Sequence, residues 1–120
     1  MRKELMVLFA ATLLSAGAAA REAAETVPTE KVEIDNDQVR VIRITQPPHT
    51  ISPMHSHPAS VVIALGDAHL RFTYPDGHSE EVSARAGQAR WIEPVTHKVE
   101  NLADTPSEVI HIEVKQRAGH

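Results

Sequence analysis

The sequence predicts an all-β domain, built as an antiparallel sandwich, a jelly roll or a small barrel. Its apolar residues follow a two-residue period in short runs, and proline, glycine or aspartate interrupts these runs at intervals of about ten residues. No window keeps helical spacing for long. Many short antiparallel strands in a chain of this size are typical of the three architectures named.

The predicted strands are all of ordinary strand length. Tyr74, Pro75, Asp76 and Gly77 predict a turn that joins one strand to a partner at residues 78–83, because proline begins such a turn and glycine accepts a positive φ. The clearest strand runs are residues 39–45, 61–65, 68–74, 89–93, 98–101 and 108–115.

The first twenty residues have the layout of a cleavable secretory signal peptide. Arg2 and Lys3 precede an uncharged stretch, residues 5–20, that ends in small residues just before Arg21. The stretch is too short and too rich in alanine to span a membrane well. We therefore expect a periplasmic or secreted protein, with a signal peptide at 1–20, a flexible connector at 21–30 and a barrel domain at 31–120.

Composition narrows the classes of partner. The chain has 120 residues, a net charge of −4, no basic run and no cysteine. An acidic surface gives no electrostatic basis for binding nucleic acid or, once the signal peptide is cleaved, an anionic membrane. The lack of cysteine excludes a disulfide framework, so we expect core packing, helped by a metal or by oligomerisation, to hold the domain together. The sequence also lacks a serine-hydrolase arrangement and a phosphate-binding glycine loop.

Three of the eight histidines form a suggestive pattern. His55 and His57 are two residues apart, so on a strand their imidazoles project from the same face. Alone, such a pair is more often a solvated surface feature than a metal site. His97 strengthens the metal interpretation because it shares the inward register of its strand with Val99, and an inward histidine needs a partner for its ring nitrogens.

These residues resemble the two sequence motifs of the cupin superfamily, and the resemblance spans residues 39–114. The second motif is matched in order by glycine, proline, histidine and asparagine, whereas the first lacks its leading glycine and is two residues short. The matching residues are His55, His57 and Gly66 for the first motif and Gly87, Pro94, His97 and Asn101 for the second.

The resemblance implies an antiparallel jelly-roll barrel with a metal in its mouth, held by His55, His57 and His97. Cupins usually add a glutamate three or four residues after the second histidine, but this chain has Val61 and Val62 there. Three neutral imidazoles leave the ion's charge uncompensated, which favours anionic ligands at its open positions. Iron(II), zinc, manganese, nickel and copper all suit such a site.

The alternation of the remaining strands predicts that most other histidines are exposed. In the last strand Ile110 and Ile112 are expected to be buried and His111 to face water, and His69 is likewise expected on a wet face. His49 is also expected to be exposed, although its loop lies close enough in sequence to His55 to reach the barrel mouth.

Four further residues are candidates for the pocket or for an outer shell around the metal. Trp91 is expected in the core or the pocket wall. Glu93 is either an outer-shell base or a surface carboxylate, with the surface favoured. Met54 offers a soft thioether ligand, although packing is the more ordinary role. Asn101 completes the second motif.

Three functional hypotheses follow. The first is an exported cupin-type metalloprotein. If it is an enzyme, its site suits an oxygenase, an isomerase or a lyase that acts on a small anionic molecule. The second is a binding or sensing module that captures a small ligand without catalysis. The third is a domain with a vestigial site that only assembles with a partner. A barrel this small that exposes apolar strand faces is expected to form a homodimer.

Overall fold

The computed structural model describes residues 24–116 and contains only β-strands in that range. The predicted signal peptide lies outside the described residues. No helix among residues 24–116 is long and apolar enough to cross a bilayer. The strands are β1 (Ala24–Glu25), β2 (Thr29–Asp35), β3 (Val39–Gln46), β4 (Thr50–Ile51), β5 (His55–His57), β6 (Ser60–Ala64), β7 (Ala68–Thr73), β8 (Ser79–Ala84), β9 (Ala89–Ile92), β10 (Val95–Asn101) and β11 (Ser107–Val114).

The strands form two sheets that face each other across a central cavity. One sheet has the order β2-β3-β11-β6-β9, and the other has the order β1-β4-β10-β7-β8, with β5 paired to β10. All pairs are antiparallel except the short β1–β4 pair. Strands distant in sequence are thus neighbours in each sheet. The antiparallel pairing confirms the predicted all-β antiparallel class.

The predicted hairpin is present between β7 and β8. The Gly77 amide donates to the Tyr74 carbonyl over 2.9 Å, and Gly77 has a φ of 93°. This is a backbone conformation that glycine adopts without a steric penalty. The tip of the hairpin therefore follows directly from the local sequence.

The N-terminal part of the domain is more ordered than the sequence suggests. The connector expected at 21–30 contains β1 in its described part, and β2 begins at Thr29 rather than after residue 30. Every residue of β2 is exposed, because β2 is an edge strand. Its lack of a buried face explains why hydrophobic alternation did not reveal it.

The outer face of the five-stranded sheet carries a row of apolar residues, which reverses the predicted orientation of β11. Ile34, Val41, Ile112, Val61 and Trp91 are successive cross-strand partners and form a row on one side of the sheet. Ile34 and Trp91, at the two ends of this row, are 50% and 51% exposed. The isoleucines of β11 thus lie on the outer face.

The inner face holds the other register of the same strands. There Ile42 is opposite His111, His111 is opposite Val62, and Val62 is opposite Arg90. The prediction that His111 is exposed is therefore wrong. Because the inner register of β11 is its more polar one, its alternation indicated the wrong face as buried.

A cavity of about 240 Å³ replaces a filled core between the two sheets. Ile42 and Ala64 are the fully buried hydrophobic residues of the described chain. Aliphatic side chains from both sheets line the rest of this space. The fold thus encloses an apolar chamber slightly smaller than typical small-molecule sites.

Candidate metal centre

Three histidines converge at the end of the chamber where β5 meets β10. His55 is directly opposite His97 in the antiparallel ladder, and His57 follows on the same face of β5. The ring centroid of His55 lies 4.7 Å from that of His57 and 4.9 Å from that of His97. The ring centroids of His57 and His97 are 5.6 Å apart. Pairing of β5 with β10 thus brings together residues that are distant in sequence.

The ring of His55 is oriented by the segment before β5. Its Nδ1 lies 2.8 Å from the Pro53 carbonyl oxygen, so the proton is on Nδ1 and Nε2 is left for a ligand. The fully buried Ser52 fixes this segment, because its backbone amide donates to the Val99 carbonyl and its hydroxyl accepts from the Val99 amide. The position of His55 is thus tied to β10.

His97 is the most buried of the three histidines, with 5% of its surface exposed. Its Nδ1 is sealed from solvent and has no hydrogen-bond partner among residues 24–116, and the Phe72 ring packs 4.7 Å away. Burial lowers the pKa of His97 to about 4, with a further contribution from the nearby charges of His55 and His57. At neutral pH this imidazole is therefore uncharged, which is the form that binds metals.

His57 has an acidic neighbour from β11. The Glu113 carboxylate lies 3.8 Å from Nδ1 of His57, and both side chains are largely buried. Burial lowers the pKa of His57, and the charge of His55 lowers it further, whereas the Glu113 carboxylate partly opposes the shift. A carboxylate behind a ligating histidine commonly orients the ring and fixes its tautomer.

The donor set fits a divalent metal ion. One ring nitrogen from each of the three histidines lies within 4.8 Å of the other two. Metal–imidazole bonds of ~2.1 Å place two bound nitrogens at most ~4.2 Å apart, so small side-chain movements suffice for binding. The unpartnered Nδ1 of His97 also shows that the site has unused hydrogen-bonding or ligating capacity.

The chamber next to the histidines is mainly aliphatic, with a few polar groups. The Arg90 side chain lines the cavity, and no carboxylate of residues 24–116 lies within 4.0 Å of its guanidinium nitrogens. Glu30, on the edge strand β2, also reaches the cavity wall. Neither residue was predicted, because nothing in a lone arginine or glutamate marks it as inward-facing.

A fourth histidine lies beside the three. The His111 ring is 4.6 Å from the His57 ring, and its Nδ1 is buried with no partner in the described part of the chain. Burial lowers the pKa of His111 to about 3, with smaller contributions from the charges of His57, His97 and His55. His111 was not predicted as a site residue because the isoleucines of β11 indicated the opposite face of the strand as the buried one.

Two predicted pocket residues have other roles. His49 is exposed, pairs with Asp104 over 2.6 Å and does not line the cavity. Asn101 is fully buried at the opposite end of β10 from His97. Its amide donates to the carbonyls of Gln46, Pro47 and Thr105, and its side-chain oxygen accepts from the Ala103 amide. Asn101 is thus a structural residue that ties two loops together.

The remaining candidates lie outside the chamber. Trp91 is not in the core, but its indole donates to the Glu93 carboxylate over 2.6 Å, and both line a shallow pocket beside the chamber. Glu93 is exposed, as the surface interpretation predicts. Met54 is 40% exposed and does not line the cavity, so the structure does not place it as a ligand.

Comparison with known structures identifies the fold. A cupin domain from Bordetella pertussis Tohama I has a TM-score of 0.70 and 27% identity, covering 82% of this chain and 100% of that chain. An RmlC-like cupin family protein from Methanocaldococcus jannaschii, with a double-stranded β-helix fold, has a TM-score of 0.58 and 12% identity, covering 74% of this chain and 81% of that one.

An oxalate decarboxylase of Bacillus subtilis is similar over part of its length. Its TM-score is 0.52 at 23% identity, and the match covers 66% of this chain but 22% of the enzyme. No protein-family model and no curated protein sequence matches this chain. The protein is a β-barrel of the double-stranded β-helix class, and the predicted relation to the cupin superfamily is confirmed.

Proposed function

We propose that this protein is an exported cupin-type metalloprotein in which His55, His57 and His97 bind one divalent ion and a small anionic molecule occupies the chamber. The observation that carries the proposal is the convergence of three imidazoles, two of them with lowered pKa, at the end of an otherwise aliphatic cavity. Export and self-association are predictions from the sequence that we retain within this proposal.

The side chains around the chamber support an anionic ligand. Neutral imidazoles leave the charge of the ion uncompensated, and Arg90, which pairs with no carboxylate of residues 24–116, adds a second cationic group on the cavity wall. When bound, the ion supplies Lewis-acid or redox chemistry. The protein orients the His55 ring through Pro53, positions His57 beside Glu113, and excludes water from the substrate with the aliphatic walls of the two sheets.

Two reaction classes suit this arrangement. An oxygenase would use open coordination positions beside the three histidines, and an isomerase or lyase would use the cationic environment to stabilise a developing anion. The similarity in fold to an oxalate decarboxylase makes oxalate a reasonable member of a substrate panel. The small chamber restricts the ligand to a compact molecule.

A ligand-binding module without catalysis is the second candidate. The largely aliphatic wall favours it, because such a surface binds and orients a ligand but supplies few groups for proton transfer. In this case the metal and Arg90 would serve only to hold the anion.

Metal content tests the proposal first. The mature chain is purified without a histidine tag from metal-replete medium and analysed by inductively coupled plasma mass spectrometry. We expect about one divalent ion per chain in the wild type, a large loss in His97→Ala, and no loss in His78→Ala, whose exposed ring pairs with Asp76. Equal metal content in the wild type and His97→Ala contradicts the proposed site.

Turnover then separates the two candidates. The metal-loaded protein is incubated with thiols, diketones and oxalate while dioxygen uptake and carbon dioxide release are followed. Turnover that His97→Ala abolishes supports an enzyme. Saturable binding of the same compounds, measured by calorimetry and unaccompanied by turnover, supports the binding module.

A further inference from the structure

The inward position of His111 places a fourth imidazole beside the candidate metal centre. His111 is directly opposite Val62 across the β11–β6 ladder, and both side chains line the chamber. The His111 ring packs 4.6 Å from the His57 ring, which is as close as any pair within the triad. The polar ring of His111 thus lies in a mainly aliphatic wall, next to the three candidate ligands His55, His57 and His97.

The buried edge of His111 is not explained by packing alone. Its Nδ1 is sealed from solvent and has no hydrogen-bond partner among the described residues. A buried polar atom without a partner is destabilising, so such atoms persist mainly where a ligand, ion or water completes them. The other buried side-chain nitrogen of this kind belongs to His97, which is one of the three candidate ligands.

The register also relates His111 to the carboxylate that this chain lacks. The resemblance to cupins places a glutamate at position 61 or 62, and of these two residues only Val62 faces the chamber. Val62 offers no ligand atom, but its cross-strand partner does. The imidazole of His111 therefore lies beside the metal site, on the strand next to the one that would carry the glutamate.

We propose that His111 is a fourth protein ligand, which completes the metal centre in place of that carboxylate. This inference rests on the proposed function. The ring nitrogens of His111 do not belong to the set of nitrogens from His55, His57 and His97 that lie within 4.8 Å of one another. Binding of the ion by His111 therefore requires its ring to turn toward these three histidines. The chamber beside it provides the space for this rotation.

A fourth imidazole narrows the choice of metal and ligand. Four neutral nitrogen donors favour copper(II), zinc or nickel over manganese, which prefers oxygen donors. The full positive charge of the ion is kept, so an anion remains the favoured exogenous ligand. The site would also have one fewer open position than a three-histidine centre.

Copper(II) binding tests this inference with a readout that does not depend on activity. Copper(II) is added to the metal-free protein, bound imidazoles are counted by pulsed electron paramagnetic resonance, and affinity is measured by competition with a chelator. We expect four imidazoles in the wild type and three in His111→Phe, with affinity at least tenfold weaker in the variant. His69→Phe, an exposed histidine paired with Glu81, is the control and should match the wild type.

A second variant tests the relation to the missing carboxylate. Val62→Glu in the His111→Phe background should restore most of the lost affinity, because it returns a ligand to the same part of the wall. Three imidazoles in the wild type, or unchanged affinity in His111→Phe, overturn the role of His111 and leave the three-histidine site intact. A wild type that binds no copper, zinc or nickel overturns both this inference and the proposed function.

Discussion

His97 lies directly opposite His55 in the ladder between β10 and β5, with their ring centroids 4.9 Å apart. The next pair along the ladder, Thr96 and Ser56, is joined by a hydroxyl–hydroxyl hydrogen bond of 2.7 Å on the exposed side. A shift of one residue would turn His97 away from the chamber, so the register of this short pair determines whether the site exists.

This pairing predicts that the two histidines act as one unit. His55→Ala and His97→Ala should each weaken zinc binding by more than about 100-fold, since each removes a direct ligand. The double variant should lose little more, because the ligands that remain after either single substitution already form a poor site. Competition with a chromophoric chelator measures the three affinities. His49→Ala should bind zinc like the wild type, and a comparable loss there would contradict the placement of His49 outside the site.

The features predicted correctly from the sequence are those that depend on local alternation or on a motif. The strands at residues 39–45, 68–74 and 89–93 match β3, β7 and β9 to within one residue at each end. The hairpin at Gly77 and the grouping of the three histidines also agree with the structure. Each of these depends on nearest neighbours in sequence or on a spacing shared with a known family.

The features that were missed depend on which side of a strand is buried. The more apolar register of β11, with Ile110 and Ile112, lies on the outer face, so the orientation of His111 and Glu113 is determined by pairing with β3 and β6 rather than by the alternation of β11 itself. Asn101 matches a family motif, yet only its four hydrogen bonds show that it fastens loops rather than lining the chamber. In both cases the tertiary structure, rather than the local sequence, determines what the side chains contact.

Asn101→Ala should lower the free energy of unfolding by about 3 kcal/mol, because it leaves buried carbonyl groups without their donor. Urea unfolding followed by Trp91 fluorescence measures this change. Asn36→Ala is the matched control, since the exposed Asn36 side chain accepts hydrogen bonds from the Gln38 and Val39 amides. Its loss should be about 1 kcal/mol or less. Equal losses in the two variants would contradict the structural role of Asn101.

Tyr74 should titrate at unusually high pH. Partial burial raises its pKa to about 12, and donation of its hydroxyl hydrogen bond to Glu80 adds to the shift. Because the folded pKa is above the ordinary value of 10.0, the associated stability is present below pH 10.0 and is lost as the pH rises through about 12.

The tyrosinate absorbance near 295 nm, followed from about pH 9 to about pH 13, checks this prediction because the chain has one tyrosine. Glu80→Gln should lower the midpoint, whereas Glu93→Gln, which affects a carboxylate paired with Trp91, should not. A midpoint near 10 in the folded wild type would show that the Tyr74 hydroxyl is solvated and not bound to Glu80.

Glu113→Gln should weaken zinc binding by about 10- to 100-fold, because it removes the negative charge behind Nδ1 of His57. Glu108→Gln, on the opposite face of β11, is the control, since Glu108 pairs with Arg43 away from the chamber. Calorimetric titration of the metal-free proteins provides the comparison. If the two variants have the same affinity, Glu113 does not orient His57.

Anomalous X-ray diffraction from crystals of zinc-loaded protein shows whether one ion binds among His55, His57 and His97. Data collected on both sides of the zinc absorption edge should show one strong peak per chain, with a nitrogen of each of the three rings ~2.1 Å away. Absence of a peak between these rings, with zinc found only on exposed histidines such as His49 or His78, would contradict the account.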